Sequence, residues 1–269
     1  MQARRKHRGR DIESKGGTAY ESGVLLAVAH GTHDPAGVRL VSGLVDALRA
    51  RRPGLDVRLA SVELVPPDVR AALGSVPRDR PVVVVPLLLS SGHHDRVDIP
   101  AAVRAVRPDA RRARVLGPDE LLAVALADRL AEAGWRAGDA VVLAGAGSSD
   151  PGAVASVHEQ AELLTAELTR RAAGAGGPGE QSGPERTGAA AAPVRVTAAF
   201  GSAAQPAVST AVAAARTAGA ARVAVAPYLL APGFFATRLR EAGADLVAAP
   251  LGAHPAVVEL ILRRYAEAR

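Results

Sequence analysis

An internal repeat constrains the fold of this chain more than any other feature of its sequence. Three pairs of segments match: AHGTHDPAGV at 29–38 with GAGSSDPGAV at 145–154, VVVVPLLLSSGHH at 82–94 with VAVAPYLLAPGFF at 223–235, and LGPDELLAVALADRLAEA at 116–133 with LGAHPAVVELILRRYAEA at 251–268. Self-similarity of this kind is the signature of a duplicated structural unit. We therefore predict two copies of one domain, with the boundary near residue 136.

Within each copy, short Val-rich and Leu-rich runs alternate with amphipathic helical stretches. In the first copy we predict strands near 23–29, 56–62, 81–86 and 112–115, and helices near 36–51, 67–76, 98–106 and 119–133. In the second we predict strands near 139–144, 194–199, 221–226 and 245–249, and helices near 152–172, 205–218, 233–242 and 254–268. This alternation predicts an α/β fold with parallel sheets covered by helices. Hydrophobic residues make up 48% of the chain and aromatic residues only 3%, which fits cores of Val, Leu and Ala.

The predicted domain organisation leaves two segments outside the repeated units. Residues 23–136 form the first predicted domain and residues 137–269 the second. Within the second, residues 172–193 are rich in Gly, Pro and Ala without periodicity, which predicts a flexible insertion. Residues 1–22 are predicted to be a disordered basic tail, because MQARRKHRGRDIESK at the start holds six of the 33 basic residues.

Composition excludes several classes of site and partner. The net charge of +6 lies mostly in the tail, and the rest of the chain lacks the basic clusters with interleaved aromatic residues that nucleic-acid binding requires. No apolar run approaches the ~18 residues that span a bilayer, and the tail has no apolar signal region, so we expect a cytoplasmic protein without a membrane partner. The chain has no cysteine, so any metal site must use His, Asp or Glu.

Candidate chemical groups gather where three predicted strands of the first copy end. AHGTHDP contains His30 and His33, and SSGHHDRVDIP contains His93 and His94, which together are four of the seven histidines. Glu63 ends the second predicted strand, VRLASVE. Because ligands of open parallel sheets bind beyond the carboxyl ends of the strands, we expect these side chains at one rim of the first domain.

The second copy indicates which of these groups the fold itself needs. The expected equivalences are His30 with Ala146, His33 with Ser149, Glu63 with Phe200, and His93-His94 with Phe234-Phe235. The glycines, prolines and apolar residues mostly persist in the second copy, so the fold does not need the polar groups. We therefore interpret these polar groups as functional residues that the first copy alone carries. Imidazoles with a carboxylate suit Fe²⁺, Co²⁺ or Ni²⁺, and a neutral imidazole also accepts a proton near pH 7. A cleft between two similar domains would hold a substrate.

Three motifs in this order carry a resemblance to a known family. HGT with a following DP, then VEL-x-PP, then VVPLLL-x-x-G-x-H-x-x-x-DIP, resemble the type II tetrapyrrole chelatases. They are most similar to the sirohydrochlorin cobalt/iron chelatases in their long two-domain form, over residues 23 to 268 apart from the insertion. The resemblance implies two tandem chelatase-like (flavodoxin-like) three-layer α/β/α domains, related by duplication, with a cleft between them.

The resemblance also implies a reaction and a set of site residues. The reaction is insertion of Fe²⁺ or Co²⁺, with Ni²⁺ as a further candidate, into sirohydrochlorin, a tetrapyrrole with eight carboxylates, in siroheme or cobalamin biosynthesis. The metal is a substrate, and no organic cofactor is implied. His30, His94 and Glu63 match the family's metal-binding and catalytic positions, whereas His93 falls on a variable position and His33 matches none. Arginines such as Arg96 and Arg238 could pair with substrate carboxylates.

Parts of the sequence also suggest three other functions. A metal-binding or metal-delivery protein without catalysis would use the same histidines. A histidine phosphatase requires an Arg directly before His-Gly, where this chain has Ala29. A nucleotide-binding fingerprint at GAGSSD lacks its third glycine, since Asp150 stands there. We expect a monomer, because an internal repeat can replace a homodimer of single domains.

Overall fold

The computed structural model describes residues 23–174 and 194–269. The first half contains strands β1 (Val24–Ala29), β2 (Asp56–Ser61), β3 (Val82–Pro86) and β4 (Arg111–Arg112), and helices α1 (Pro35–Arg51), α2 (Val69–Gly74), α3 (Ile99–Val106) and α4 (Glu120–Glu132). A π-helical turn, His94–Asp98, precedes α3. The second half contains β5 (Ala140–Gly145), β6 (Val196–Phe200), β7 (Val223–Tyr228) and β8 (Leu246–Val247), and α5 (Pro151–Gly174), α6 (Val208–Thr217), α7 (Phe234–Leu239) and α8 (Pro255–Glu267).

Two segments predicted from the sequence fall wholly or largely outside this description. The basic tail, residues 1–22, lies outside the described residues, as do residues 175–193 of the predicted insertion. Residues 172–174 belong to α5, which continues to Gly174. No helix of the described chain combines the length and the apolar character that a membrane crossing requires.

Each half forms a four-stranded parallel sheet with the same strand order. The orders are β2-β1-β3-β4 and β6-β5-β7-β8, and every pairing is parallel. One face of the first sheet packs with α2 and α3 around Val24, Leu26 and Val28, and the alternate residues of β1 face a second core. The α/β class and the two parallel-sheet, three-layer domains predicted from the sequence are confirmed.

An Asp-Pro pair begins the first helix of each half. Asp34 caps α1 by accepting a hydrogen bond from the Ala36 backbone N–H at 2.8 Å, and Pro35 is the first helical residue. Asp150 accepts from the Gly152 N–H at 2.8 Å at the start of α5. A side-chain acceptor at the N-cap satisfies a free helical N–H, and proline has none to lose. This explains why the pair persists in both copies.

The two domains exchange their last helices. Helix α4, from the first half, packs on α5 and β7 of the second half, whereas α8, from the second half, packs on α1 and β3 of the first. One continuous core cluster includes residues of both sheets and of α1, α4, α5 and α8. The sequence repeat predicted that α4 and α8 are equivalent elements, but it does not indicate which sheet each helix covers.

A buried arginine secures this exchange. Arg264 of α8 is fully buried, and its guanidinium donates to the carbonyl oxygens of Val115 at 3.1 Å and Leu116 at 2.8 Å. It also pairs with the carboxylate of Asp119 at 2.8 Å. These three partners lie on the segment that carries the chain out of the first sheet into α4. Arg264 therefore holds the crossover segment and the exchanged helix together.

Replacing Arg264 is expected to destabilise the protein strongly. In Arg264→Leu, two backbone carbonyls and the Asp119 carboxylate lose a buried cationic partner, which costs about 3–5 kcal/mol in the free energy of unfolding. Urea denaturation followed by circular dichroism measures this loss. The matched control is Arg170→Leu, whose side chain is 69% exposed in its pair with Glu167 and should cost about 1 kcal/mol or less. Equal losses in the two variants would contradict the role assigned to Arg264.

Candidate metal centre

His30, Glu63 and His94 meet at the carboxyl edge of the first sheet. His30 directly follows β1, Glu63 lies two residues beyond β2, and His94 begins the π-helical turn after β3. One ligand atom from each lies within 4.8 Å of the other two, and this is the sole such group found in residues 23–174 and 194–269. The ring centroids of His30 and His94 are 4.7 Å apart. Because β1 is central, with β2 and β3 on either side, the sheet itself brings these three positions together.

A glycine permits the close approach of His30 and Glu63. Gly31 has φ = 103°, in the left-handed region that favours glycine, and a Cβ built there would lie 2.0 Å from the Glu63 carbonyl oxygen. The Glu63 N–H donates to the His30 carbonyl at 3.1 Å. Gly147 repeats this arrangement in the second domain, where its Cβ would lie 1.8 Å from the Ser202 carbonyl. The close approach of the two backbone segments at a glycine is thus a feature of the fold, and only the side chains differ between the copies.

The strand pairing corrects one equivalence expected from the sequence. β1 ends with Ala29 paired to Ser61, and β5 ends with Gly145 paired to Phe200. Ser61 therefore corresponds to Phe200, and Glu63 corresponds to Ser202. The expected match of Glu63 with Phe200 is wrong by two residues, because no sequence motif between β2 and β6 anchored the alignment there.

His94 is held on a well-anchored turn. Its Nδ1 lies 2.7 Å from Oδ2 of Asp98, and its carbonyl accepts from the Ile99 N–H in the π-helical pattern. The next residue, Asp95, is buried and accepts from the Ser91 hydroxyl at 2.6 Å and from the Arg112 guanidinium. The turn is therefore fixed from inside the domain, while His94 projects from it.

The other histidines of the two motifs lie outside the cluster. His93 is 72% exposed, and its Nε2 lies 3.7 Å from Oδ1 of Asp98. His33 is exposed at the start of the loop before α1. The structure thus brings together the three residues selected by the resemblance and leaves out the two that it set aside.

The electrostatics of the cluster favour a neutral imidazole at His30. Partial burial lowers the pKa of His30 below its ordinary value, and the neighbouring His94 lowers it further, whereas Glu63 acts in the opposite direction. The neutral form is the one that binds a metal ion through a ring nitrogen. His30 is therefore in its ligating form at neutral pH.

A cleft between the two domains opens beside the cluster. Its volume is about 520 Å³, and it is lined from the first domain by His30, His94 and Val38 and from the second by Tyr228 and Phe234, among others. The Tyr228 hydroxyl donates to the Leu89 carbonyl across the domains at 2.9 Å. The duplication and the family resemblance predicted the cleft but not its lining, which is mostly apolar.

The exposed apolar side chains of the described residues gather around this site. Val38, Leu64, Val97 and Phe234 are the large hydrophobic residues that remain exposed there, and Phe234 is 70% exposed. Val38 and Phe234 line the cleft, Leu64 follows Glu63, and Val97 lies on the turn that carries His94. Val38 and Phe234 lie on the cleft wall itself, and apolar groups exposed there indicate a binding surface for an apolar partner.

The two arginines expected to meet substrate contact residues of the second domain. Arg96, on the π-helical turn, pairs with Asp150, which caps α5 of the second domain. The Arg238 guanidinium lies 5.6 Å from the ring centroid of Phe234. Neither arginine lines the cavity itself.

The coupling between these groups can be measured without metal. Because His94 lowers and Glu63 raises the pKa of His30, that pKa should rise in His94→Gln and fall in Glu63→Gln. Titration of the imidazole Cε1–H resonances by NMR measures both changes. His254 is the internal control, since its pKa is lowered mainly by burial in another part of the structure and should stay constant. Shifts of His30 in the same direction in both variants would contradict the arrangement.

Comparison with known proteins identifies the family. The CbiX family model matches residues 24–133 and 185–268. Among solved structures, SirB from Bacillus subtilis with Fe³⁺ superposes with a TM-score of 0.73 at 22% identity, covering 92% of this chain and 95% of that one. The sirohydrochlorin chelatase SirB from Bacillus subtilis subspecies spizizenii, in complex with cobalt, gives a TM-score of 0.66 at 21% identity, covering 92% and 95%.

A third structure and the curated sequences complete the comparison. CbiX, described as the terminal enzyme for biosynthesis of siroheme in denitrifying bacteria, gives a TM-score of 0.61 at 19% identity, covering 92% of this chain and 99% of that one. No curated protein sequence gives a significant match. The structures share the two-domain fold, and the family model spans well over half of the chain. The chain therefore belongs to the CbiX family, and the resemblance to sirohydrochlorin chelatases expected from its motifs is confirmed.

Proposed function

We propose that the protein is a chelatase of the lyase class that inserts Fe²⁺ or Co²⁺ into sirohydrochlorin, as a step of siroheme or cobalamin biosynthesis. The observation that carries this proposal is the His30–Glu63–His94 cluster, whose two imidazoles line an apolar cleft. A metal-delivery protein needs the cluster but has no use for a large apolar cleft beside it. A chelatase needs both, because metal and macrocycle must meet face to face.

The ligand set suits a metal that is a substrate. Two imidazoles and one carboxylate bind first-row divalent ions but leave coordination positions open. The nitrogens of the macrocycle can therefore contact the metal before the protein releases it. Glu63 is exposed, and His30 and His94 face the cleft, so the metal is held at the surface rather than enclosed.

The same side chains can accept the protons that the reaction releases. Sirohydrochlorin loses two pyrrole N–H protons as one M²⁺ enters, so the charge of the macrocycle core is balanced. As the metal passes to the macrocycle, the nitrogens of His30 and His94 become free to accept those protons. The lowered pKa of His30 then favours return of its proton to solvent, which restores the neutral ligand.

The second domain contributes the opposite wall. Phe234 and Phe235 stand where the first domain has His93 and His94, and a Cβ on Gly201 would lie 2.9 Å from the Phe235 ring, so the equivalent site is filled. Phe234 faces the cleft and can stack on the flat macrocycle. Arg238, whose guanidinium lies 5.6 Å from the Phe234 ring centroid, is placed to pair with a substrate carboxylate.

The metal-insertion activity should depend on the cluster. Purified protein mixed with sirohydrochlorin and Fe²⁺, Co²⁺ or Ni²⁺ should change the absorption spectrum of the macrocycle. His30→Ala and His94→Ala should each lower the rate by about 100-fold or more, because ligand and proton acceptor are lost together. His93→Ala, a neighbouring histidine outside the cluster, should keep the wild-type rate. Metal binding without any insertion by the wild-type protein would favour the metal-delivery function instead.

Binding of the macrocycle should depend on Phe234. Phe234→Ala removes an exposed ring from the cleft wall and should raise the Kd for sirohydrochlorin several-fold, since aromatic stacking contributes about 0.5–1.5 kcal/mol. Fluorescence of the tetrapyrrole, titrated without metal, measures this change. Val97→Ala is the matched control, because Val97 is also exposed but does not line the cleft. Equal Kd values in wild type and Phe234→Ala would place the macrocycle elsewhere.

A further inference from the structure

We propose that Asp98 is a positioning residue that holds the ring of His94 with Nε2 directed at the metal. This inference rests on the metal binding proposed for His94 and adds a residue that the ligand cluster does not include. The motif G-x-H-x-x-x-DIP contains Asp98, but the sequence alone assigns it no task.

The contact between the two side chains determines the tautomer of the imidazole. His94 Nδ1 lies 2.7 Å from Oδ2 of Asp98. An ionised carboxylate only accepts hydrogen bonds, so Nδ1 must carry the hydrogen and Nε2 the free lone pair. This hydrogen bond also fixes the rotation of the ring about the Cβ–Cγ bond. Nε2 is then the single ring atom of His94 left to bind a metal.

The Asp98 side chain does not cap a helix. The π-helical turn continues directly into α3, so Asp98 has helical backbone angles (φ −70°, ψ −51°) and its side chain makes no capping hydrogen bond. By contrast, Asp34, Asp68 and Asp119 have extended backbone angles and cap the helices that follow them. The Asp98 carboxylate turns to the histidines instead, with Oδ2 on His94 and Oδ1 at 3.7 Å from Nε2 of His93.

The second domain lacks the carboxylate together with the histidine. The match of residues 82–94 with 223–235 pairs His94 with Phe235, and the same spacing continued by four residues pairs Asp98 with Leu239. The domain that has no imidazole to orient thus has a buried leucine in place of the carboxylate. Joint loss of the two residues is what a positioning role predicts, whereas a role in helix formation would require the aspartate in both copies.

The surroundings of Asp98 separate this role from a structural one. Its side chain is 38% exposed and borders a small cavity of about 290 Å³ with Glu63, Asp68 and Arg70, so truncation leaves no void in the core. The turn is anchored independently by Asp95, through Ser91 and Arg112. Removing the carboxylate should therefore free the ring of His94 without unfolding the turn.

The test compares Asp98→Ala, Asp98→Leu and Asp98→Asn with wild type. Long-range ¹H–¹⁵N NMR spectra of the metal-free protein at a fixed pH of about 8 report the tautomer, with the His94 signals assigned from His94→Gln. Wild type should show Nδ1–H, and the Ala and Leu variants should lose this preference. Their Kd for Co²⁺, measured by calorimetry, should rise about 10- to 100-fold. Asp98→Asn keeps an acceptor oxygen and should recover most of the wild-type tautomer and affinity.

A neighbouring variant and the thermal midpoints distinguish a positioning role of Asp98 from an effect on folding, and the insertion assay distinguishes it from the proposed function. His93→Ala should change neither the His94 tautomer nor the Co²⁺ affinity, and the thermal midpoint of each Asp98 variant should stay close to wild type. A wild-type tautomer and affinity in both Asp98→Ala and Asp98→Leu would overturn the proposal, as would failure of wild type to bind Co²⁺. If the expected shifts occur but wild type inserts no metal into sirohydrochlorin, the proposed function fails and the positioning role stands.

Discussion

The shared core between the two sheets is the constraint on which the rest of the structure depends. Each sheet buries one face against helices of its own half, and the other face packs with a set of helices that includes one from the partner half. Burial of Arg264 against Val115, Leu116 and Asp119 ties this exchange to the crossover segment. The two rims that face the cleft are therefore held by common packing rather than by a loose linker.

The two rims differ in their side chains, since within residues 23–174 and 194–269 a cluster of metal-ligating groups is found at the first rim alone. A glycine that permits close approach of two backbone segments lies beyond the first strand of each domain, Gly31 in the first and Gly147 in the second. The residues brought together there are His30 and Glu63 in the first domain and Ala146 and Ser202 in the second. A site with imidazoles on one wall and aromatic rings on the other suits the joining of a metal ion and a flat macrocycle.

Much of the fold and of the candidate site could be predicted from the sequence. The repeat and the alternation of strands and helices predicted an element near each strand and α-helix, but β4 is Arg111–Arg112 rather than 112–115, and the π-helical turn His94–Asp98 was not predicted. The family resemblance, through the spacing from DIP, selected His94 rather than His93. The equivalence of Glu63 could not be placed correctly, because only the pairing of β1 with β2 and of β5 with β6 defines it. Arg96 illustrates a second limit, since its ion pair with Asp150 joins residues distant in the chain.

The sequence by itself determined the local elements, the duplication and the identity of the polar groups, since these depend on periodicity, on turn residues and on residue type. The tertiary structure decided which helix covers which sheet, how apolar the cleft is, and which ring nitrogen of His94 lies against Asp98. Those features depend on contacts between residues far apart in the chain or on the rotation of single side chains. Neither kind of feature can be predicted directly from the order of the residues.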